Sequence, residues 1–163
     1  MQFLRPTLLL VLLASELLSA CSGSVGNSNA ANTNAASSAS AAKTGPKDNI
    51  DELGLLVRLP VEPDEVAWEE MPEQKKLIAV VRFSPENAQK MAAEIAKNGQ
   101  PSPEAVTVES WYPNELIAQG ELTGESTVKG QSYPAEPFLK PPYTKGKITR
   151  IQDTDYFILQ ISS

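Results

Sequence analysis

The residues that come closest to a catalytic pattern are Ser126 and Lys129, in the string Ser-Thr-Val-Lys. On a helix, a lysine three positions after a serine lies one turn away, where its amine can accept the hydroxyl proton and activate the serine as a nucleophile. Gly124 and Gly130 flank the string, and glycine disfavours the helix that this geometry requires. Ser126 and Lys129 are therefore a candidate pair for serine-based hydrolysis or group transfer, with the local sequence arguing against it.

The same Ser-x-x-Lys string is found in penicillin-binding proteins and β-lactamases, but the accompanying Ser-x-Asn and Lys-Thr-Gly elements do not follow here. Asp153-Thr154-Asp155 resembles the start of a calcium loop but lacks its glycine and its distant glutamate. The chain has no histidine and a single cysteine, so the usual ligands of zinc, haem and iron-sulfur clusters are missing. The sequence predicts a protein that is not an enzyme and binds no cofactor or metal.

The single cysteine, Cys21, ends the string Leu-Ser-Ala-Cys, which Ser15, Glu16 and Leu17 separate from an apolar run over residues 8–14. This arrangement resembles the lipobox of bacterial lipoprotein precursors. The resemblance implies a signal peptide over residues 1–20, cleavage between Ala20 and Cys21, and a thioether-linked diacylglycerol on Cys21, with an amide-linked acyl chain such as palmitate in many bacteria. The alternative is an ordinary secretory signal that leaves a free thiol.

The apolar run is shorter than the roughly 20 residues that a membrane-spanning helix needs. Two or more acyl chains are enough for stable membrane attachment. The expected location is therefore the cell envelope, with the membrane contacted through the lipid anchor. Ser22 stands where an aspartate would resemble an inner-membrane retention signal. We expect the outer membrane, at its periplasmic or surface face, in a cell with two membranes, and otherwise the outer face of the cytoplasmic membrane.

Composition divides the remaining chain into two parts. Residues 21–49 are rich in Ser, Asn, Ala and Gly and lack the apolar side chains that a core requires, which predicts a disordered tether. Residues 50–163 are long enough for one globular domain with a single modest core. The net charge of −6 argues against nucleic acid as a partner, because counterion release requires clustered cations.

The pattern over residues 50–163 predicts an α+β fold, mainly an antiparallel sheet of about five strands with two helices on one face. Ser84-Pro85-Glu86 is typical of a helix start, and this helix is expected to end before Gly99. A second helix is expected to begin near Ser110 and to end at Gly120. Strands or strand fragments are predicted at 53–59, 65–69, 76–83, 105–109, 127–129, 132–133, 147–151 and 156–161, the last two as a hairpin with Ile148, Ile151, Phe157 and Leu159 in the core.

Five aromatic residues are candidates for a binding surface, since rings near prolines and cations suit glycan stacking or peptide docking. The alternative is that these rings close the edge of a small core. The candidates are Trp111, Tyr112, Tyr133, Phe138 and Tyr143.

Charge is unevenly distributed along the chain, with acids gathered over residues 51–73 and five cations later, at Lys129, Lys140, Lys145, Lys147 and Arg150. These groups either neutralise one another across the sheet or form separate patches that face partners. The sequence thus predicts a membrane-anchored envelope lipoprotein that is a non-catalytic binding or assembly module for an envelope protein or for peptidoglycan or another glycan. A cell-wall hydrolase using Ser126 and Lys129, and a structural or solute-carrying lipoprotein, are the alternatives.

Overall fold

A computed structural model describes residues 45–163. The predicted signal peptide, Cys21 and the tether up to residue 44 lie outside the described residues. The described chain contains α1 (Ile50–Leu56), β1 (Glu65–Met71), β2 (Lys76–Arg82), α2 (Pro85–Ile95), β3 (Ser102–Thr107), α3 (Asn114–Thr123), β4 (Thr127–Pro134), β5 (Lys145–Ile151) and β6 (Tyr156–Ser162), with short 3-10 turns at Pro72–Gln74, Ala96–Asn98 and Glu136–Phe138.

All six strands form one sheet in the order β1-β2-β6-β5-β4-β3, and every neighbouring pair is antiparallel. The predicted α+β fold with a mainly antiparallel sheet is therefore confirmed. The sheet has six strands rather than about five, and three α-helices accompany it rather than two. The strands β2 and β6, which are the most apolar in sequence, lie inside the sheet, where both of their edges are hydrogen-bonded.

The hydrophobic core is divided between the two faces of the sheet, since alternate residues of a strand point to opposite sides. On the first face, α1 and α2 pack on side chains that include Trp68, Leu77 and Phe157. On the second face, α3 packs on a smaller set that includes Val80 and Ile158. The prediction that the helices share one face is wrong, because α3 covers the opposite side.

Two local predictions fail for identifiable reasons. Residues 53–59 were expected to be extended, but most of them belong to α1, which Asn49 caps by accepting a hydrogen bond from the Glu52 amide. The helix α3 begins at Asn114 and passes through Gly120 instead of ending there. A Cβ on Gly120 would lie 3.0 Å from Cγ2 of Val108, so this glycine permits close packing, and Gly124 ends the helix with φ of 70°.

Several predicted elements are confirmed. Ser84 caps α2 by accepting a hydrogen bond from the Asn87 amide. The hairpin of β5 and β6 forms, and its four predicted core residues, Ile148, Ile151, Phe157 and Leu159, are buried. The two predicted fragments at 127–129 and 132–133 are parts of one continuous strand, β4.

Contacts with the sheet begin before the predicted domain boundary at residue 50. Lys47 and Trp68 exchange two backbone hydrogen bonds, which adds a single bridge to the outer edge of β1. The Lys47 ammonium lies 4.5 Å from the centre of the Trp68 ring, and the Trp68 indole donates to the Asn49 carbonyl. The chain therefore enters the folded part along the outer edge of β1. No helix within residues 45–163 is long and apolar enough to cross a membrane.

Candidate functional site

The helices leave part of the first face of the sheet uncovered, over β3, β4 and the end of β5. We call this surface the open face and define it by its six exposed side chains: Pro103, Ala105, Thr107, Lys129, Gln131 and Arg150. The strand β4 shows the alternation clearly, because Lys129 and Gln131 are exposed while Val128, Gly130 and Ser132 are buried on the second face. The open face is thus a part of the sheet whose outer side chains are presented to solvent.

The two ionisable side chains that define the open face, Lys129 and Arg150, are both cationic, although the whole chain carries a net charge of −6. Beside them, Asp153 and Asp155 line a cleft of about 480 Å³ together with Gln131 and Arg150. Within residues 45–163, neither cation makes a salt bridge. Gln131 lies directly across from Arg150 and adds a side chain that both donates and accepts hydrogen bonds. The surface therefore offers several hydrogen-bond donors and two cations, of which Lys129 does not line the cleft that contains Asp153 and Asp155.

The positions of the charged groups bear on whether the early acids and late cations neutralise each other. Across the described part of the chain, no salt bridge joins residues 51–73 to the five late cations. Glu65 instead pairs with Arg82, and Lys147 pairs with Glu104. The strand β1, with its acids, is also separated from β5 by β2 and β6. This arrangement favours separate patches over neutralisation.

The open face ends at β3, which is an edge strand of the sheet. The Val108 amide donates to the Ser126 carbonyl, and hydrogen-bonded pairs recur at every second residue of an antiparallel ladder. Val106 and Glu104 consequently direct their backbone groups toward β4, whereas Ala105 and Thr107 direct theirs away from the sheet. Pro103 also directs its backbone groups away from the sheet. Its missing N–H therefore removes no hydrogen bond between β3 and β4.

On the second face, an ion pair spans β4. The Lys147 ammonium on β5 contacts the Glu104 carboxylate on β3, two strands away. The β4 residues on this face include Gly130, which has no side chain, and Ser132, whose side chain is small, so that they leave room for the long side chains of Lys147 and Glu104. A lysine on this sheet can therefore reach an acid that lies two strands away, provided that the intervening strand carries small residues.

Three of the five aromatic candidates belong to the hydrophobic core. Tyr112, Phe138 and Tyr143 are 4, 6 and 3 % exposed. Phe138 and Tyr143 pack on the first face and Tyr112 on the second, so the structure does not bring the five rings together. Their burial leaves these three rings no open surface on which a ligand can stack.

The other two aromatic candidates are half-buried. Trp111 packs edge-on against Tyr112, with ring centres 4.6 Å apart, at the margin of the core beneath α3. Tyr133 follows Gln131 on the same side of β4 and lies between the first-face core and the open face. Of the five, Tyr133 is the ring that continues the open face.

Ser126 and Lys129 do not have the helical relationship that serine activation would use. Ser126 precedes β4 with φ of 52°, and Lys129 lies within the strand. Three residues of extended chain cover about 10 Å, roughly twice the distance of one helical turn. Lys129 instead contributes its charge to the open face.

Two buried tyrosines donate hydrogen bonds to carboxylates. The Tyr143 hydroxyl lies 2.6 Å from Oε1 of Glu70, and burial together with this bond raises the pKa of Tyr143 well above its usual value. The Tyr156 hydroxyl lies 3.2 Å from Oε2 of Glu115, and burial, with the nearby negative charge of Glu115, raises the pKa of Tyr156 to about 12. Both phenols are therefore held protonated and fix side chains of different elements to one another.

A separate cleft of about 610 Å³ lies beside α1. Its lining is mainly apolar and includes Leu53, Val57, Leu59 and Val61, with Lys140 at its margin. Leu55, on the exposed side of α1, is 74 % exposed. The three charged residues that line the cleft are Asp51, Glu62 and Lys140, and the Lys140 ammonium donates to the Gly54 carbonyl.

Sequence reasoning identified Lys129 and Arg150 as cations but did not place them on one surface with Gln131. The alternation of polar residues in β4 and β5 indicates that these three side chains lie on the same side of the sheet. Which part of that side the helices leave bare depends on tertiary packing. No protein-family model, curated protein or solved structure matches the chain.

Proposed function

We propose that this protein is a lipid-anchored docking module of the bacterial cell envelope, which holds a partner on the open face without transforming it. The observation that carries the proposal is the group of exposed, hydrogen-bonding side chains Lys129, Gln131 and Arg150, whose two cations make no salt bridge among the described residues. A charged surface of this kind attracts partners of opposite charge and selects against others.

The sequence supplies the second half of the proposal. The lipobox-like string at Cys21 would attach the protein to the membrane through acyl chains, and residues 22–44 would link that anchor to the described part. The first sheet contact, at Lys47, is on β1, at the opposite edge of the sheet from β3. A partner bound beside β3 would thus not compete with the incoming chain for the same edge.

The proposal can be tested by affinity capture from detergent-solubilised envelope, with the full lipidated chain as bait. Three baits are compared: the wild type, the open-face variant Lys129→Ala/Arg150→Ala, and the control variant Lys76→Ala/Lys145→Ala. The control removes two other exposed cations of the sheet that make no salt bridge in the described range.

We expect one component to be retained by the wild type and the control and lost from the open-face variant. Its recovery should fall as salt is raised, because exposed charges are screened. Equal recovery by all three baits would refute a role for the open face. Retention of no component at any salt concentration would refute the docking function itself.

A further inference from the structure

We propose that the open face binds an acidic, extended peptide segment, which adds to the sheet as a seventh strand beside β3. This inference rests on the proposed docking function of the open face and specifies its partner. Two independent features meet at β3: outward backbone groups at Ala105 and Thr107, and the two cations without salt bridges on the adjoining surface.

The backbone supplies the first part of the argument. Of the two edge strands, β1 already exchanges hydrogen bonds with Lys47. Among the backbone bonds of residues 45–163, none uses the outward groups of Ala105 or Thr107. A peptide strand that pairs with β3 would satisfy these groups, which is the usual mode of strand addition to a sheet edge.

The register of β3 and β4 supplies the second part. Ala105 lies directly opposite Lys129, and both side chains are on the first face. A residue of the added strand opposite Ala105 would have its side chain on this face too, two strands away from Lys129. Only the methyl group of Ala105 would separate them.

On the second face, the ion pair of Lys147 and Glu104 already joins two strands across one intervening strand. There the intervening strand is β4, with Gly130 and Ser132; on the first face it would be β3, with Ala105 and Pro103. An acid on the added strand is the complement that Lys129 lacks among the described residues, whereas Arg150, on β5, lies three strands from the added strand and shares a cleft with Asp153 and Asp155. Acids are therefore expected at alternate positions of the peptide.

A second copy of this chain fits the site less well. Two β3 strands paired edge to edge would bring Pro103, Ala105 and Thr107 of the copy onto the first face, and none of these is acidic. Glu104 points to the second face, where it is paired with Lys147. Charge thus favours a different, acidic partner over self-association.

The test uses the full chain in mild detergent and a ten-residue peptide of alternating Thr and Glu, blocked at both ends. In the antiparallel pairing that every neighbouring pair of this sheet uses, Glu residues opposite Ala105 would direct their N–H groups toward β3, while Thr residues would direct theirs away. N-methylation of every Glu should abolish binding, and N-methylation of every Thr, the matched control, should preserve it. Replacing Glu by Gln should weaken binding at least tenfold.

Two protein variants complete the design. Lys129→Glu should weaken binding at least tenfold, and the control Lys145→Glu should leave it within about twofold. Ala105→Pro removes one outward N–H at an edge that already accepts Pro103, and it should abolish binding. The modified peptides act on unaltered protein, so the inference stays testable if Ala105→Pro fails to fold. Amide hydrogen exchange over residues 102–107 should slow when the unmodified peptide is added.

Binding that tolerates N-methylation of Glu would refute antiparallel strand addition, and binding that leaves exchange over 102–107 unchanged would refute strand addition altogether. If the acidic peptide does not bind but the envelope capture still depends on Lys129 and Arg150, the peptide inference is wrong while the docking function stands, and an anionic glycan becomes the ligand to test. Self-association through β3, abolished by Ala105→Pro, would overturn the inference in favour of a second copy.

Discussion

Buried tyrosine hydroxyls connect elements that are distant in sequence. Tyr143 follows the loop after β4 and binds Glu70 on β1, and Tyr156 on β6 binds Glu115 on α3. A hydrogen bond of this kind contributes about 1 kcal/mol to stability, and more where the acceptor is charged. Each tyrosine hydroxyl therefore links two parts of the fold, which packing of the ring alone would not do.

The raised pKa of Tyr156 predicts a loss of stability at alkaline pH. The folded value, about 12, exceeds the value near 10 of an exposed tyrosine, so the unfolded chain loses its proton first as pH rises. The free energy of unfolding should thus fall from about pH 10 toward pH 12. In urea titrations, Tyr156→Phe should be about 1 kcal/mol less stable at pH 7 and should show a shallower fall above pH 10. An equally steep fall in both proteins would contradict this account.

Residue type alone did not determine which rings would face solvent. The sequence located the aromatic residues, but Phe138 and Tyr143 are buried by α1 and by neighbouring strands that lie far away in the chain. Lys129 and Arg150 were recognised as cations because charge is a local property. Their common surface depends on which strands pair with one another, and β3, β4 and β5 are separated in the chain by a helix and by long connections.

At the scale of the element, the cap of α2 gives a direct test. The Oγ of Ser84 accepts a hydrogen bond of 3.3 Å from the Asn87 amide. Ser84→Ala should lower the free energy of unfolding by about 1 kcal/mol, and Ser84→Asp should retain most of the stability because aspartate also caps. Thermal or urea unfolding measures both; equal losses in the two variants would show that the cap is not the cause.

The close contact of β4 with β5 depends on Gly130. A Cβ there would overlap the Arg150 carbonyl and lie 2.7 Å from Cγ2 of Thr149. Gly130→Ala should therefore cost about 1–3 kcal/mol or more, as is typical of overpacking. In the control, Gly54→Ala within α1, the added methyl meets no atom within 4 Å and should stabilise the helix by about 0.5–1 kcal/mol. Urea unfolding that gave both variants the same sign would contradict this packing.

Element predictions succeeded where the local pattern and the tertiary environment agree. The strand β2 and the hairpin of β5 and β6 are apolar enough to specify their own burial, and Ser84-Pro85 marks the start of α2. The segment that forms α1 has few residues and the β-branched Val57 at its end, so its helix depends on the Asn49 cap and on burial of Leu53 against the sheet. Such support from outside the segment is not visible in its own pattern.

At the scale of the molecule, lipid attachment can be tested separately from docking. Cys21→Ser should abolish incorporation of labelled palmitate and leave an uncleaved precursor, whereas the neighbouring control Ser22→Ala should keep both modifications. Metabolic labelling and the mass of the purified protein measure the two effects. Label retained in Cys21→Ser, or cleavage after a residue other than Ala20, would contradict the lipobox interpretation.

Docking requires that a partner contact the open face in the cell. The most direct measurement places a photocrosslinking amino acid at Gln131, in the middle of this surface, and at the control position Leu122, which is 89 % exposed on α3. After irradiation of living cells, we predict a discrete crosslinked product from Gln131, lost when Lys129 and Arg150 are changed to alanine, and no such product from Leu122. Absence of any product from Gln131, or the same product from both positions, would contradict the proposal that the open face is the docking site.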